Sequence, residues 1–143
     1  MTLDLEAGEL EFTVLGTPAP QGSKKAFARG GKAWLVDNNA PPLRAWREAV
    51  AWAAAEAADG ACFDGPLEVA IEFRLKRPAA AKNKVFSDKR PDVDKMTRSV
   101  FDALTDSGVI ADDARIAVLH ATKRYALSDN AWTGAVIRIR TLD

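Results

Sequence analysis

A chain of 143 residues, 48% apolar, with 20 bases balanced by 20 acids, is long enough for one domain with its own core. Zero formal net charge removes overall charge as a nucleic-acid signal, and a single cysteine, Cys62, excludes an internal disulfide. No run approaches the ~20 apolar residues of a membrane span, and the acidic N-terminus is unlike a secretory leader, so no membrane partner and a cytoplasmic setting are expected.

Residues 1–9 read as a loose acidic lead-in and 10–143 as a single domain. Leu10–Leu15 alternates apolar and polar, as a strand does. Gly16 to Ser23 is rich in turn residues. Lys24, Lys25 and Arg29 follow, then Gly30-Gly31, then Ala33–Val36, which suggests a hairpin turning at the glycine pair. Pro41–Ala58 is predicted as a helix whose apolar face carries Leu43, Trp46, Val50, Ala53 and Ala57, ended by Gly60. Cys62 reads as a small buried or half-buried residue rather than a nucleophile.

Pro66–Lys76 alternates strictly, with Leu67, Val69, Ile71, Phe73 and Leu75 on one side and Glu68, Glu72, Arg74 and Lys76 on the other. Lys76–Arg90 lacks periodicity and reads as a mobile basic loop. Asp92–Thr105 is predicted as a second helix, with Asp92 as its N-cap, an apolar face of Val93, Met96, Val100 and Leu104 widened by Phe101, and Gly108 as its stop. Arg115–Tyr125 and Gly134–Arg140 are predicted strands. The order of elements implies an α/β, α+β-like domain: a mixed sheet with two main helices packed on it.

Chemistry concentrates in the second helix region. Asp92-Val93-Asp94 begins it, and Asp112-Asp113 follows after a helix-length gap. Carboxylates at such spacing suit a hard divalent cation, and Mg²⁺ usually takes one or two of them with water and phosphate for the rest. From Arg74 to Arg98 nine Lys/Arg stand against three Asp. Acids in a basic surround point to a metal acting on a phosphate. Each acid also has a plain structural role open to it: a cap for Asp92, an i, i+4 pair with Arg98 for Asp94, a turn for Asp112 and Asp113.

The stretch Arg90-Pro91-Asp92-Val93-Asp94-Lys95, with Val100-Phe101-Asp102-Ala103-Leu104-Thr105, Gly108-Val109-Ile110, Asp112-Asp113 and Lys123-Arg124-Tyr125, resembles the RusA family of Holliday junction resolvases. The loop from Gly16 to Lys25, Gly65-Pro66 and Arg77-Pro78 resemble it too, so the likeness covers residues 11–140. Such proteins are often encoded by phages and prophages. The resemblance implies a metal-dependent endonuclease, Mg²⁺ or alternatively Mn²⁺, that cuts four-way junction DNA as a homodimer. It places the catalytic acids on Asp92, Asp94 and Asp113, with Asp112 as a neighbouring candidate ligand. The family's helix lysine falls on Arg98, and Lys95 stands where the family often has Asn.

On that basis Lys95, Arg98 or Lys123 offsets charge developing on the phosphate. Lys24, Lys25, Arg29, Lys76, Arg77, Lys82, Lys84, Lys89, Arg90 and Lys123 form the expected DNA-binding set. His120 reads as a structural histidine within a strand. Trp34, Trp46, Trp52 and Trp132 read as core or dimer contacts, with Trp34, beside the basic Lys24–Lys32 segment, the one candidate for base stacking. Two rival readings are a non-catalytic junction-binding protein and a metal-dependent hydrolase of small nucleotides. The set of acids argues against the first, since carboxylates repel phosphate without a metal between them; the long basic loop argues against the second.

Overall fold

The computed structural model describes the backbone of residues 2–4, 8–21, 24–29, 32–37, 40–128 and 131–143, and the side chains of 8–21, 41–128 and 131–143. The strands are β1 (Thr2–Asp4), β2 (Glu9–Leu15), β3 (Lys24–Arg29), β4 (Lys32–Asp37), β5 (Leu67–Leu75), β6 (Ile116–Tyr125) and β7 (Gly134–Thr141). Helix α1 spans Ala40–Ala58 and α2 spans Val93–Asp106, and short 3-10 turns lie at Ala79–Ala81 and Asp113–Arg115.

Five strands form one sheet in the order β1-β2-β7-β5-β6. Only β5 and β6 run parallel; the other neighbours are antiparallel. A parallel pair needs a crossover connection, and here the basic loop and α2 supply it. The mixed sheet with two helices is the expected architecture. Strands β3 and β4 make a separate antiparallel pair with Arg29 opposite Lys32, as a hairpin requires; Gly30-Gly31 lie outside the described residues.

The sheet's two faces are chemically distinct. In β5, Leu67, Val69, Ile71, Phe73 and Leu75 are buried, and the alternate residues are only half-buried. Their side of the sheet meets α1 through Leu43, Trp46, Val50, Ala54 and Ala58 and α2 through Met96, Val100, Ala103 and Leu104. Fully burying one such large side chain stabilises by about 1.5–3 kcal/mol. Ala54 and Ala58, not the predicted Ala53 and Ala57, are the fully buried alanines of α1. An alanine-rich turn has no side-chain contrast to mark its face; packing against the sheet decides it.

The opposite face is a ladder of charge. Arg140 lies 2.8 Å from Glu68, Arg124 3.3 Å from Glu72, and Arg138 3.8 Å from Glu9. His120 belongs here: it is paired with Ala70 in the register, its side chain is exposed, and its Nε2 is 3.5 Å from Glu68. The sheet therefore separates His120 from α2.

Two glycines are forced. Gly108 ends α2 with φ +78°, the left-handed conformation that side chains resist. Gly134 has φ +146°, and a Cβ there would fall 1.9 Å from the Val14 carbonyl oxygen of the adjacent strand.

Three expectations need correcting. Thr2–Asp4, read as part of a loose lead-in, pair with β2 as an edge strand, Leu3 opposite Leu10. Cys62 is exposed rather than buried, because it sits in the turn after α1 and not on its face. The segment 76–90 is not a free loop: Ala81 and Ser87 are buried, Phe86 bridges to Arg124, and Tyr125 N donates to Val85 O at 2.8 Å.

Candidate active site

The crossover from β5 to β6 fixes where the acids go. Asp92 occupies the N-cap position of α2 in an extended conformation, but its carboxylate makes no capping hydrogen bond. It lies instead 3.6 Å from the Lys95 ammonium, one helical turn on. Asp94 stands in the first turn, where the helix's positive end favours an anion. The i, i+4 pair between Asp94 and Arg98 is not formed among the described residues. Neither acid is thus used up in the plain role the sequence offered it.

Asp94, Arg98 and Asp113 line one open concavity of about 440 Å³, whose floor is Val93, Thr97, Phe101, Leu119 and Ala121. Of the predicted approach of helix start and strand start, the structure brings Asp94 and Asp113 to the same concavity. Asp94 and Asp102 are eight residues apart on α2, roughly 12 Å along its axis, and Asp113 feels the charge of Asp102. Among the described residues no three Asp, Glu, His or Cys side chains converge at metal-ligand spacing. Asp94 and Asp113 therefore face one groove without closing into a cage, and Asp92 and Asp112 are not among its lining residues.

Asp112 and Asp113 are distinguished by their surroundings. Asp112 Oδ1 accepts from Ala114 N at 2.8 Å, capping the 3-10 turn, and that bond holds Asp112 below the ordinary aspartate value. A hydrogen bond to Asp112 pushes Asp113 above it, helped by partial desolvation and by the charges of Asp112 and Asp102. The crowding of Asp113 by Asp112 and Asp102 is the condition a bound cation relieves.

The predicted bases fall into groups. Arg98 faces the groove. Lys95 is paired with Asp92, and its carbonyl accepts from Gln21 N at 3.0 Å. Ser99 Oγ donates to Ala19 O at 3.0 Å, so the Gly16-to-Gln21 loop lies along α2 and leads from there into β3. The side chains of Lys24, Lys25, Arg29 and Trp34 lie outside those described. Lys82, Lys84, Lys89 and Arg90 are exposed, with Lys84 3.4 Å from Asp88. Lys76 and Arg77 line a separate polar recess with Ser128 and Thr133.

Lys123 departs from expectation. Its ammonium donates to the carbonyl oxygens of Lys89 and Pro91, the second at 2.9 Å. Two of its three N–H donors are thereby engaged with backbone. Among the tryptophans, Trp46 is core, Trp52 is 70% exposed, and Trp132 packs under the Arg74 guanidinium, 4.1 Å from ring centre to Cζ. The Arg74–Trp132 contact had no sequence signal beyond the presence of both residue types.

Comparison with known proteins identifies the family. Residues 16–140 match the family described as "Endodeoxyribonuclease RusA". The chain is 25% identical over 135 residues, 94% of each protein, to the crossover junction endodeoxyribonuclease RusA of Aquifex aeolicus (strain VF5). With the match running from the loop before β3 to the end of β7, the chain belongs to the RusA family of endodeoxyribonucleases, hydrolases of DNA phosphodiester bonds.

Proposed function

We propose that this chain resolves four-way DNA junctions, cutting two strands symmetrically as a homodimer in DNA recombination and repair. The observation that carries the reading is the groove shared by Asp94, Arg98 and Asp113, in a chain matched by the family over residues 16–140. The Aquifex relative's name, crossover junction endodeoxyribonuclease, supports the choice of a junction over plain duplex.

Carboxylates are hard oxygen donors, and the crowding that raises Asp113 suits a divalent cation. Asp92, Asp94 and Asp113, with Asp112 beside them, would hold Mg²⁺ or Mn²⁺, which when bound supplies Lewis acidity and an activated water. Arg98 on the same groove neutralises charge that builds on the phosphate. Its fixed charge and fork of donors suit a phosphoryl group better than a single ammonium would. Lys95 balances Asp92 and so limits repulsion of the incoming backbone. The bases of the 82–90 loop, with Lys24, Lys25 and Arg29, hold the arms of the junction by their phosphates, which positions the DNA without reading sequence.

The test is cleavage of a synthetic four-way junction by Asp92→Asn, Asp94→Asn and Asp113→Asn variants. Each is expected to lose cleavage while binding the junction as tightly as wild type or more so, because a negative charge facing phosphate has been removed. Cleavage near the wild-type rate at low Mg²⁺ in any of the three would remove that residue from the site. Retained binding without cleavage by the wild-type chain would favour the non-catalytic reading.

A further inference from the structure

Lys123 lies near the C-terminal end of β6, opposite Phe73 in the β5 register, which puts it on the helix side of the sheet. Its ammonium reaches across to the carbonyl oxygens of Lys89 and Pro91. The same stretch is tied twice more. Ser87 N donates to the Lys123 carbonyl at 3.3 Å. The buried Ser87 hydroxyl donates to Lys89 O at 3.3 Å and accepts from Lys89 N at 3.4 Å. The residue that follows Pro91 is Asp92.

A lysine ammonium has three donors, and two of them here are taken by backbone carbonyls directly upstream of an acid. We propose that Lys123 is a positioning residue: it fixes the 89–91 segment from which Asp92 projects, and so sets Asp92 relative to Asp94 on the first turn of α2. Without the ammonium, two carbonyls lose their donor, and among the described residues the remaining side-chain tie on the segment is Ser87. The carboxylate then no longer arrives preplaced. Groups that orient metal ligands in this way typically change metal affinity by about 10–100-fold when removed. The proposal rests on Asp92 being a cation ligand.

The experiment is Mn²⁺ binding to the full chain without DNA, read from the paramagnetic resonance of free Mn²⁺, with thermal melts alongside. The proteins are wild type, Asp92→Asn, Lys123→Met and Lys123→Arg. Asp92→Asn is expected to weaken binding, Lys123→Met to weaken it about tenfold or more, and Lys123→Arg, which keeps the donors, to recover most of the loss. Metal-free affinity of Lys123→Met for a four-way junction should equal that of wild type. If Asp92→Asn binds Mn²⁺ normally, the ligand reading falls and this proposal with it. If Asp92→Asn is weakened but Lys123→Met binds Mn²⁺ like wild type, the positioning role alone is overturned. A lower metal-free junction affinity with a flatter salt dependence in Lys123→Met would also overturn it, making Lys123 a phosphate contact. Should Lys123→Met fail to fold, Lys123→Gln, which removes the charge and shortens the reach to the two carbonyls, is the second variant: weaker Mn²⁺ binding in a chain that melts like wild type supports the proposal, and unchanged binding contradicts it.

Discussion

The guanidinium of Arg77 donates to the carbonyl oxygen of Lys82, 2.8 Å away, and so fastens the start of the basic loop across its own first turn. This divides the loop's bases by role. Arg77 shapes the loop, while Lys82 and Lys84 are exposed on it and, among the described residues, Lys84 has only the surface pair with Asp88. Such exposed pairs contribute about 0–1 kcal/mol, so a phosphate competes with Asp88 easily.

Replacing Lys82 and Lys84 together by alanine is therefore expected to weaken binding to all junction sequences alike. Each phosphate contact on duplex arms contributes about 0.9 to the slope of log affinity against log salt, so the slope should flatten by up to about two. Titrations at several salt concentrations measure it. Cleavage-site preference should survive, since these are contacts to backbone. An unchanged slope would make both lysines solvated surface and nothing more.

The paired acids predict opposite pH dependences. Asp113 holds its proton more tightly in the folded chain than at the ordinary aspartate value of 3.8. Its contribution to stability is full below 3.8 and is lost as pH rises through the raised native value. Asp112 is shifted down, so its contribution is present above 3.8 and is lost as pH falls through the lowered value. In metal-free buffer, the Tm of Asp113→Asn minus that of wild type should rise from pH 3 to pH 7. The same difference for Asp112→Asn should fall. Differences that stay flat with pH would show that the two side chains do not share the hydrogen bond.

Assembly is the third expectation. A symmetric pair of nicks calls for two sets of acids, and one chain carries one set, so a two-fold dimer is expected if the proposed function holds. Light scattering of the free protein and of its junction complex should give the mass of two chains. The mass of one 15.4 kDa chain in both states would contradict symmetric cutting by a single assembly.

Much of the fold was legible because the sheet has one dry face. The strict alternation of β5 predicts its burial residue by residue, and α2 shows its buried stripe at helical spacing. Residue type and spacing singled out the candidate acids, of which the structure puts Asp94 and Asp113 on one groove. What was hidden depends on tertiary partners. Nothing local distinguishes Lys123, whose ammonium is taken by the Lys89 and Pro91 carbonyls, from a lysine awaiting phosphate. His120 occupies a strand position of unremarkable pattern, and only the register puts it on the charged face beside Glu68, away from the acids. Asp112 and Asp113 look identical in sequence; the Ala114 amide and the neighbouring Asp102 make them different. Edge strand β1 could not be read either, because three residues are too few to show a period and their pairing with β2 lies elsewhere in the chain.

The most direct measurement is cleavage of a synthetic four-way junction with and without Mg²⁺, compared with a linear duplex of the same sequence. Wild type should nick opposing arms of the junction symmetrically when Mg²⁺ is present, leave the duplex intact, and bind without cutting when the metal is chelated. Asp94→Asn and Asp113→Asn, which alter two acids lining one groove, should bind and not cut under either condition. Equal cutting of duplex and junction, or cutting that survives in either variant, would contradict junction resolution by this groove.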